Sequence, residues 1–269
     1  MKYYITLLIF LSISLCLAQS DCKAILKSVN TLQNQTIAQM KKNTNKAKND
    51  TLFEQFYKEA YNKLSAISTG DTYELPTCLQ PYVDENRNTF TPEFQKLLDN
   101  YGLMDVWNGG FIGFYFEKDY LNNTFKNYLS EEMLLYLKTT QIRPFMYADA
   151  ALIISWKELG VLVFNESTFI KKFPNSKKIA EVKENYTSDV TTFIFGIDNT
   201  PSSEIPEARK AMKTFVKQYP QALATPIVNL YLEKTKNLVN KQGNIVKHDE
   251  YQKLGLQELI TKQIKKQVQ

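Results

Sequence analysis

Apolar residues recur along this chain at the spacing of one helix face, in blocks separated by proline, glycine and asparagine. From about Lys23 to Asn45, Ile25, Leu26, Val29, Leu32, Ile37 and Met40 form a narrow stripe that predicts a helix, fraying into the basic run Lys41–Lys48. Thr51 and Glu54 read as a capping box that opens a second helix through about Ile67. Leu75–Pro81 is a connector, because proline cannot continue a helix interior. Thr91-Pro92-Glu93 predicts a helix start with a hydroxyl cap and proline at the first helical position, running to about Gly102. The period is then lost. Trp107 to Asp119 holds Phe111, Phe114, Tyr115 and Phe116 among glycines, which suggests a turn and a short extended segment, either a strand pair or a lid.

Helical spacing returns at Ser130-Glu-Glu132 and breaks at Arg143-Pro144. Asp149, whose carboxylate favours a helix dipole, then stands near the start of a strongly apolar helical stretch reaching Phe173. Gly160 within it marks either a kink or a close approach of helices. Pro174-Asn-Ser176 is a turn, and Ser176 is read as the cap of a helix with Ile179, Val182, Tyr186, Val190, Phe193 and Ile194 on one face. Gly196 closes that helix. Pro206 starts another, which Pro220 ends, and Thr225-Pro226 reopens one through about Asn240. A last amphipathic helix is predicted from about Glu250 to Val268, with Leu254, Leu256, Leu259, Ile260, Ile264 and Val268 inward. It would cap the exposed end of a stack. Its lysines Lys253, Lys262, Lys265 and Lys266 also permit a membrane-surface reading, which the lack of tryptophan and phenylalanine disfavours.

One segment occurs twice. Phe169-Ile-Lys-Lys-Phe-Pro-Asn-Ser176 returns about 46 residues later as Phe215-Val-Lys-Gln-Tyr-Pro-Gln-Ala222, each copy a helix end, a proline stop and a fresh helix. Phe169, Phe173, Pro174, Phe215, Tyr219 and Pro220 are therefore expected to pack successive helices, with Lys171, Lys172 and Lys217 facing solvent. The fold class expected is all-α, with stacked antiparallel helix pairs and an irregular or extended aromatic segment around 105–119. The expected organisation is a leader over 1–20, an N-terminal helical region over 21–145, two repeat units over 146–240, and a capping helix over 241–269.

On these residues the chain resembles the tetratricopeptide-like repeats of exported bacterial envelope proteins, in which a helix ends in an aromatic-Pro-Asn-Ser turn. The likeness covers about Asp149 to Asn240. The interval exceeds the usual 34 residues, and most glycine and alanine landmarks of a standard repeat are missing. Phe195–Pro201 also looks like a linker of uncharacterised exported proteins of this kind. The resemblance implies binding of other proteins. A cut between alanine and glutamine and a high Lys/Asn content look like an envelope protein of the Bacteroidetes type, with a secreted protein from an AT-rich eukaryote as the alternative.

Composition sharpens the setting. Met1–Tyr4, the apolar run Ile5–Leu17 and Ala18-Gln19-Ser20 read as a signal peptide cut after Ala18 or Ser20. The run is short for a bilayer span, so a membrane anchor is the secondary reading. Leu15 before Cys16 and Asp21 before Cys22 do not fit a lipidation signal. Cys22 and Cys78 remain after cleavage, and an exported pair suggests a disulfide over two free thiols. A net charge of +5 is mild for this length and gives no argument for nucleic acid. No later stretch is apolar for long enough to span a membrane, so the mature chain is expected to carry no transmembrane segment.

The catalytic inventory is thin. His248 is the single histidine and lies in a polar stretch beside Asp249 and Glu250, which reads as a solvated loop. No Gly-x-Ser-x-Gly elbow is present, and Gly109-Gly110-Phe-Ile-Gly113 lacks the lysine of a phosphate loop. No cofactor and no metal are expected. Paired carboxylates are the one open enzymatic route, with Asp105, Glu117, Asp119 and Asp149 as candidates. Sequons at Asn34, Asn49, Asn122, Asn165 and Asn185, and an Asp50-Thr51-Leu52 pattern of bacterial O-glycosylation, are weak modification signals. The leading expectation is an exported, non-catalytic helical-repeat scaffold binding an envelope protein or peptide. Its rival is a small all-helical glycan hydrolase built around Trp107–Asp119.

Overall fold

The structure, a computed structural model, describes residues 21–69, 74–84, 89–108 and 111–268. The expected leader at 1–20 and the glycines Gly109 and Gly110 lie outside these. The chain is mostly helical with small two-stranded sheets, and it divides into two compact units, 1–130 and 131–269. The sequence reading put the change near residue 145. The division falls earlier because the helix at Glu131–Thr140 packs on the helix beginning at Trp156.

In the first unit, α1 (Cys22–Lys41) is capped by Asp21, whose carboxylate accepts the Lys23 amide at 3.0 Å. Helix α2 (Lys46–Ser65) packs on α1. It starts earlier than expected: Asn45, not Thr51, is the cap, accepting the Lys48 amide at 3.1 Å. Its buried face is Phe53, Phe56, Ala60 and Leu64. After the short pair β1 (Val83–Asp84) and β2 (Thr89–Phe90), α3 (Pro92–Asn100) packs against a hairpin. That hairpin is β3 (Leu103–Asn108) with β4 (Phe111–Phe116), antiparallel, with Leu103 opposite Phe116. In β4 the alternating residues Ile112, Phe114 and Phe116 are buried, the period of a strand with one face in the core. Ile112 is tied to the end of α2, donating its amide to Thr69 Oγ1 at 2.6 Å and accepting the Thr69 amide at 2.9 Å. Short α4 (Tyr120–Phe125) sets Phe125 between Phe53 and Phe56, at 5.0 and 5.3 Å between ring centres. Cys22 and Cys78 are joined in a disulfide, as the sequence suggested.

The second unit opens with α5 (Glu131–Thr140), followed by a small hairpin, β5 (Tyr147–Ala148) with β6 (Ala151–Leu152). Here the expected helix start at Asp149 is corrected. Asp149 and Ala150 form the two-residue turn, both at positive φ (46° and 55°), as a primed hairpin turn requires. Helix α6 (Trp156–Lys172) begins only after a capping box: Glu158 donates its amide to Ser155 Oγ at 3.2 Å, and the Ser155 amide donates to Glu158 Oε2 at 3.0 Å. Then come α7 (Ile179–Phe195), the pair β7 (Gly196–Ile197) with β8 (Thr200–Pro201), α8 (Pro206–Gln218) and α9 (Thr225–Lys234). The predicted C-terminal helix is two helices, α10 (His248–Lys253) and α11 (Leu256–Val268), divided at Gly255, whose φ is 57°. Leu256, Ile260 and Ile264 are buried, whereas Leu254 and Leu259, expected inward, are exposed.

The duplicated sequence builds a duplicated turn. Helix α6 ends at Lys172 and α8 at Gln218; α7 begins at Ile179 and α9 at Thr225. The capping residues Phe173 and Tyr219 share one conformation, φ −127° and ψ 54° against φ −124° and ψ 55°. Each donates its amide at 2.8 Å to the ring-bearing residue one turn earlier, Phe169 or Phe215. Each then accepts an amide at 3.0 Å, from Ser176 or Ala222. The side chains stack alike, with Phe169–Phe173 ring centres 5.4 Å apart and Phe215–Tyr219 5.3 Å apart. Ser176 is not the helix cap that was expected. Its hydroxyl accepts the Lys178 amide and donates to Glu132 at 2.6 Å, and α7 starts later.

Candidate functional site

Two features of the second unit stand out as places where chemistry or binding could occur. The first is a groove of about 270 Å³ between α6 and α8. Its walls are helical stripes: Lys157, Gly160 and Val161 on α6, and Glu207, Lys210, Ala211, Thr214 and Gln218 on α8. Trp156, Phe215 and Tyr219 also line it, and Phe164 stacks on Tyr219 with ring centres 4.1 Å apart. Two wall positions, Gly160 and Ala211, carry almost no side chain. Gly160 is buried, and a β-carbon there would lie 3.3 Å from the Phe193 ring and 3.5 Å from Phe215. Gly160 thus marks a close approach of α6 to α7 and α8. Lys157 and Lys210 stand on the wall with no ion-pair partner among the described residues.

The second feature is a buried ionic cluster between α6 and α7. Glu166 is fully buried and Asp189 only 1 % exposed, yet both are acids. Arg143, in the turn after α5, joins them through one nitrogen, hydrogen-bonded to Glu166 Oε1 and to Asp189 Oδ2 at 2.8 Å. Its Nε donates to the Thr139 carbonyl at 3.0 Å. Burial pushes the Glu166 carboxyl well above the ordinary carboxylate range, and the neighbouring Asp189 adds to this while Arg143 opposes it. Burial also raises Asp189, with Arg143 and Glu166 pulling it back. Among the described residues Glu166 Oε2 accepts no hydrogen bond. A proton on that oxygen gives it a role as donor to Asp189, leaving one negative charge against one guanidinium. Tyr147, held up by burial and bonded to Thr192, borders the cluster, and Tyr186 lies near Glu166 and Ser167.

The carboxylates proposed from the sequence do not form this pair. Asp105 is on β3 and accepts the Trp107 indole N–H; Glu117 follows β4, its amide bonded to the Gly102 carbonyl. Asp119 precedes α4 at φ 65°, and Asp149 is in the β5–β6 turn. The aromatic segment suggested for binding lies largely in the first unit's core. Phe114 and Phe116 are buried, Trp107 packs on Phe90 at 5.2 Å, and Phe111 and Tyr115 are half-buried on the hairpin. His248 is exposed at the start of α10. Asn49 and Asn122 are buried, and the Asn49 amide donates to the Tyr128 carbonyl at 3.1 Å, so neither sequon is open in the folded chain.

Of the six residues expected to pack successive helices, the four aromatic ones are in or against the core, and the two prolines are not. Phe169 and Phe215 are in the core, Phe173 and Tyr219 are partly buried against it, and Pro174 and Pro220 are at the exposed turns. Lys171 and Lys217 are exposed, as is Lys172, which pairs with Glu131 at 2.5 Å. Arg143, Glu166 and Asp189 were missed from the sequence. Their signal was present. Glu166 falls one turn from Leu162, Phe169 and Ile170, and Asp189 one turn from Tyr186 and Phe193, so both acids sit on apolar faces. Among the described residues no group of three or more histidine, cysteine or acidic residues could hold a metal ion. Compared with protein-family models, curated proteins and solved structures, the chain matches none of them.

Proposed function

We propose that this chain is an exported, non-catalytic helical-repeat protein that stacks antiparallel helix pairs in the tetratricopeptide-like manner and binds an envelope protein or peptide. The binding site is the groove between α6 and α8. The observation that carries this reading is the groove itself, set beside a duplicated helix–turn–helix unit whose capping geometry repeats in register. The small side chain of Ala211 leaves room for one apolar side chain of a partner over Phe215, Trp156 and Tyr219. The apolar run Ile5–Leu17 and the Cys22–Cys78 disulfide support export to the periplasm or outside the cell.

The hydrolase reading has less behind it. A glycosidase needs two carboxyl groups that a sugar can reach. Glu166 and Asp189 are adjacent but sealed by α6 and α7, which supports a structural role for them.

Selection from a displayed random-peptide library against the full chain tests the proposal. Winners are then titrated on wild type and on Ala211→Trp, which fills the groove. The expected result is binding lost in the variant while its thermal unfolding is retained. Recovery of no binders, or of winners that bind the filled variant equally well, would sink it.

A further inference from the structure

A second hollow, of about 960 Å³, opens beside α11, away from the groove just described. Its base is aromatic. Phe195 at the end of α7 meets Tyr231 edge-on at 5.8 Å, and Tyr231 meets Tyr251 of α10 at 6.5 Å. Tyr231 is buried, while Phe195 and Tyr251 are half-buried and line the hollow. Its flank is basic. Lys262, Lys265 and Lys266 sit three and four residues apart on α11 and so share one side of the helix. All three are exposed, and none has an ion-pair or hydrogen-bond partner among the described residues. Glu258 is the one acid lining the hollow among the described residues, so the lysines leave it positively charged.

These lysines invite a membrane-surface reading, and the packing argues against it. An interfacial helix needs a free apolar face to bury among lipid headgroups. The apolar face of α11, Leu256, Ile260 and Ile264, is spent in the core against α7 and α9. What remains is a concave, aromatic-floored surface with uncompensated positive charge, which fits a protein segment better than a bilayer.

We propose that this hollow docks an acidic segment of a partner protein. Its carboxylates face Lys262, Lys265 and Lys266, and an apolar side chain lies against Phe195 and Tyr251. The site is separate from the α6–α8 groove and stands or falls without it.

The test uses the full chain and a fluorescein-labelled peptide of alternating glutamate and phenylalanine, followed by anisotropy. The glutamate peptide should bind, and binding should weaken as salt is raised, because the contacts are exposed charge pairs. The double variant Lys265→Glu, Lys266→Glu, whose positions are exposed, should weaken it about tenfold. Ala211→Trp should leave it unchanged. Equal binding of a glutamine–phenylalanine peptide, or of the glutamate peptide to the double variant, would overturn the proposal. Binding to phosphatidylglycerol vesicles in place of the peptide would also overturn it and make the surface a lipid site.

Discussion

The first unit closes its core with a covalent cross-link and a cluster of aromatic rings, whereas the second closes its own with a buried ion cluster and a repeated turn. In the first, Cys22 on α1 is tied to Cys78, and Phe53, Phe56, Phe116 and Phe125 meet at ring-centre distances of 5.0 to 6.0 Å. In the second, Arg143, Glu166 and Asp189 lie at the α6–α7 contact, and Gly160 lets three helices approach. The difference teaches where each unit is vulnerable. An aromatic cluster with a cross-link tolerates changes of pH and fails on reduction. A buried carboxyl pair is indifferent to reductant and sensitive to its counter-charge.

The largest effect should come from the cross-link. Replacing both cysteines by serine should remove about 4 kcal/mol from the first unit on the chain-entropy argument for a 56-residue separation. Hydrogen exchange should then accelerate at Phe53 and Phe56 while staying unchanged at Phe193 and Phe215. Equal acceleration in both units would break the contrast. Next, Arg143→Leu should cost the second unit about 3 kcal/mol, because it strands two buried carboxyl groups. That is the low end of the range for a broken buried pair, since Glu166 can hold a proton and Arg143 is itself 25 % exposed. Adding Glu166→Gln should recover part of the loss; a double mutant as unstable as the single would argue against a shared charge.

Smaller effects sharpen the picture. Gly160→Ala should destabilise by about 1 kcal/mol, the gain in helix propensity being outweighed by overpacking against Phe193. A denaturant midpoint that rises would show that the ring can yield. The last expectation is a slope. The folded Glu166 and Asp189 carboxyls are raised above their unfolded values, so the unfolded state loses protons first. Stability of the second unit should therefore fall as pH rises from about 4, where unfolded carboxyls ionise, toward the higher pH at which the buried pair loses its proton. Urea denaturation across that range should show the decline, and Glu166→Gln should flatten it.

Much of the second unit was legible because its grammar is local. A period near 3.6 marks the bodies of α6 through α9, proline after an aromatic residue marks the ends of α6 and α8, and proline at the first turn marks the starts of α8 and α9. The starts of α6 and α7, by contrast, were misplaced. The β5–β6 hairpin was not legible. Asp149-Ala150-Ala151-Leu152 carries no glycine or asparagine to announce a primed turn. It is held from a distance, by the Asn199 side chain on the Asp149 carbonyl and by Thr200 Oγ1 accepting the Leu152 amide at 2.9 Å. The β3–β4 hairpin could have been read further, since Ile112, Phe114 and Phe116 alternate. The buried acids escaped notice because acidic residues are usually solvated, and only their place on an apolar stripe contradicts that rule.

Gln267 connects α7 to the turn between α8 and α9. It accepts the Tyr186 hydroxyl at 2.9 Å and donates to the Leu223 carbonyl at 2.6 Å. Tyr186 is 81 residues upstream and Leu223 is 44. During synthesis, therefore, α6 through α9 emerge and can pair through near neighbours while the surface that α11 will cover is still bare. The interval between those events is when the unit is most open to misassociation. Slowing translation after α9, or holding a nascent chain short of Gln267, lengthens that interval.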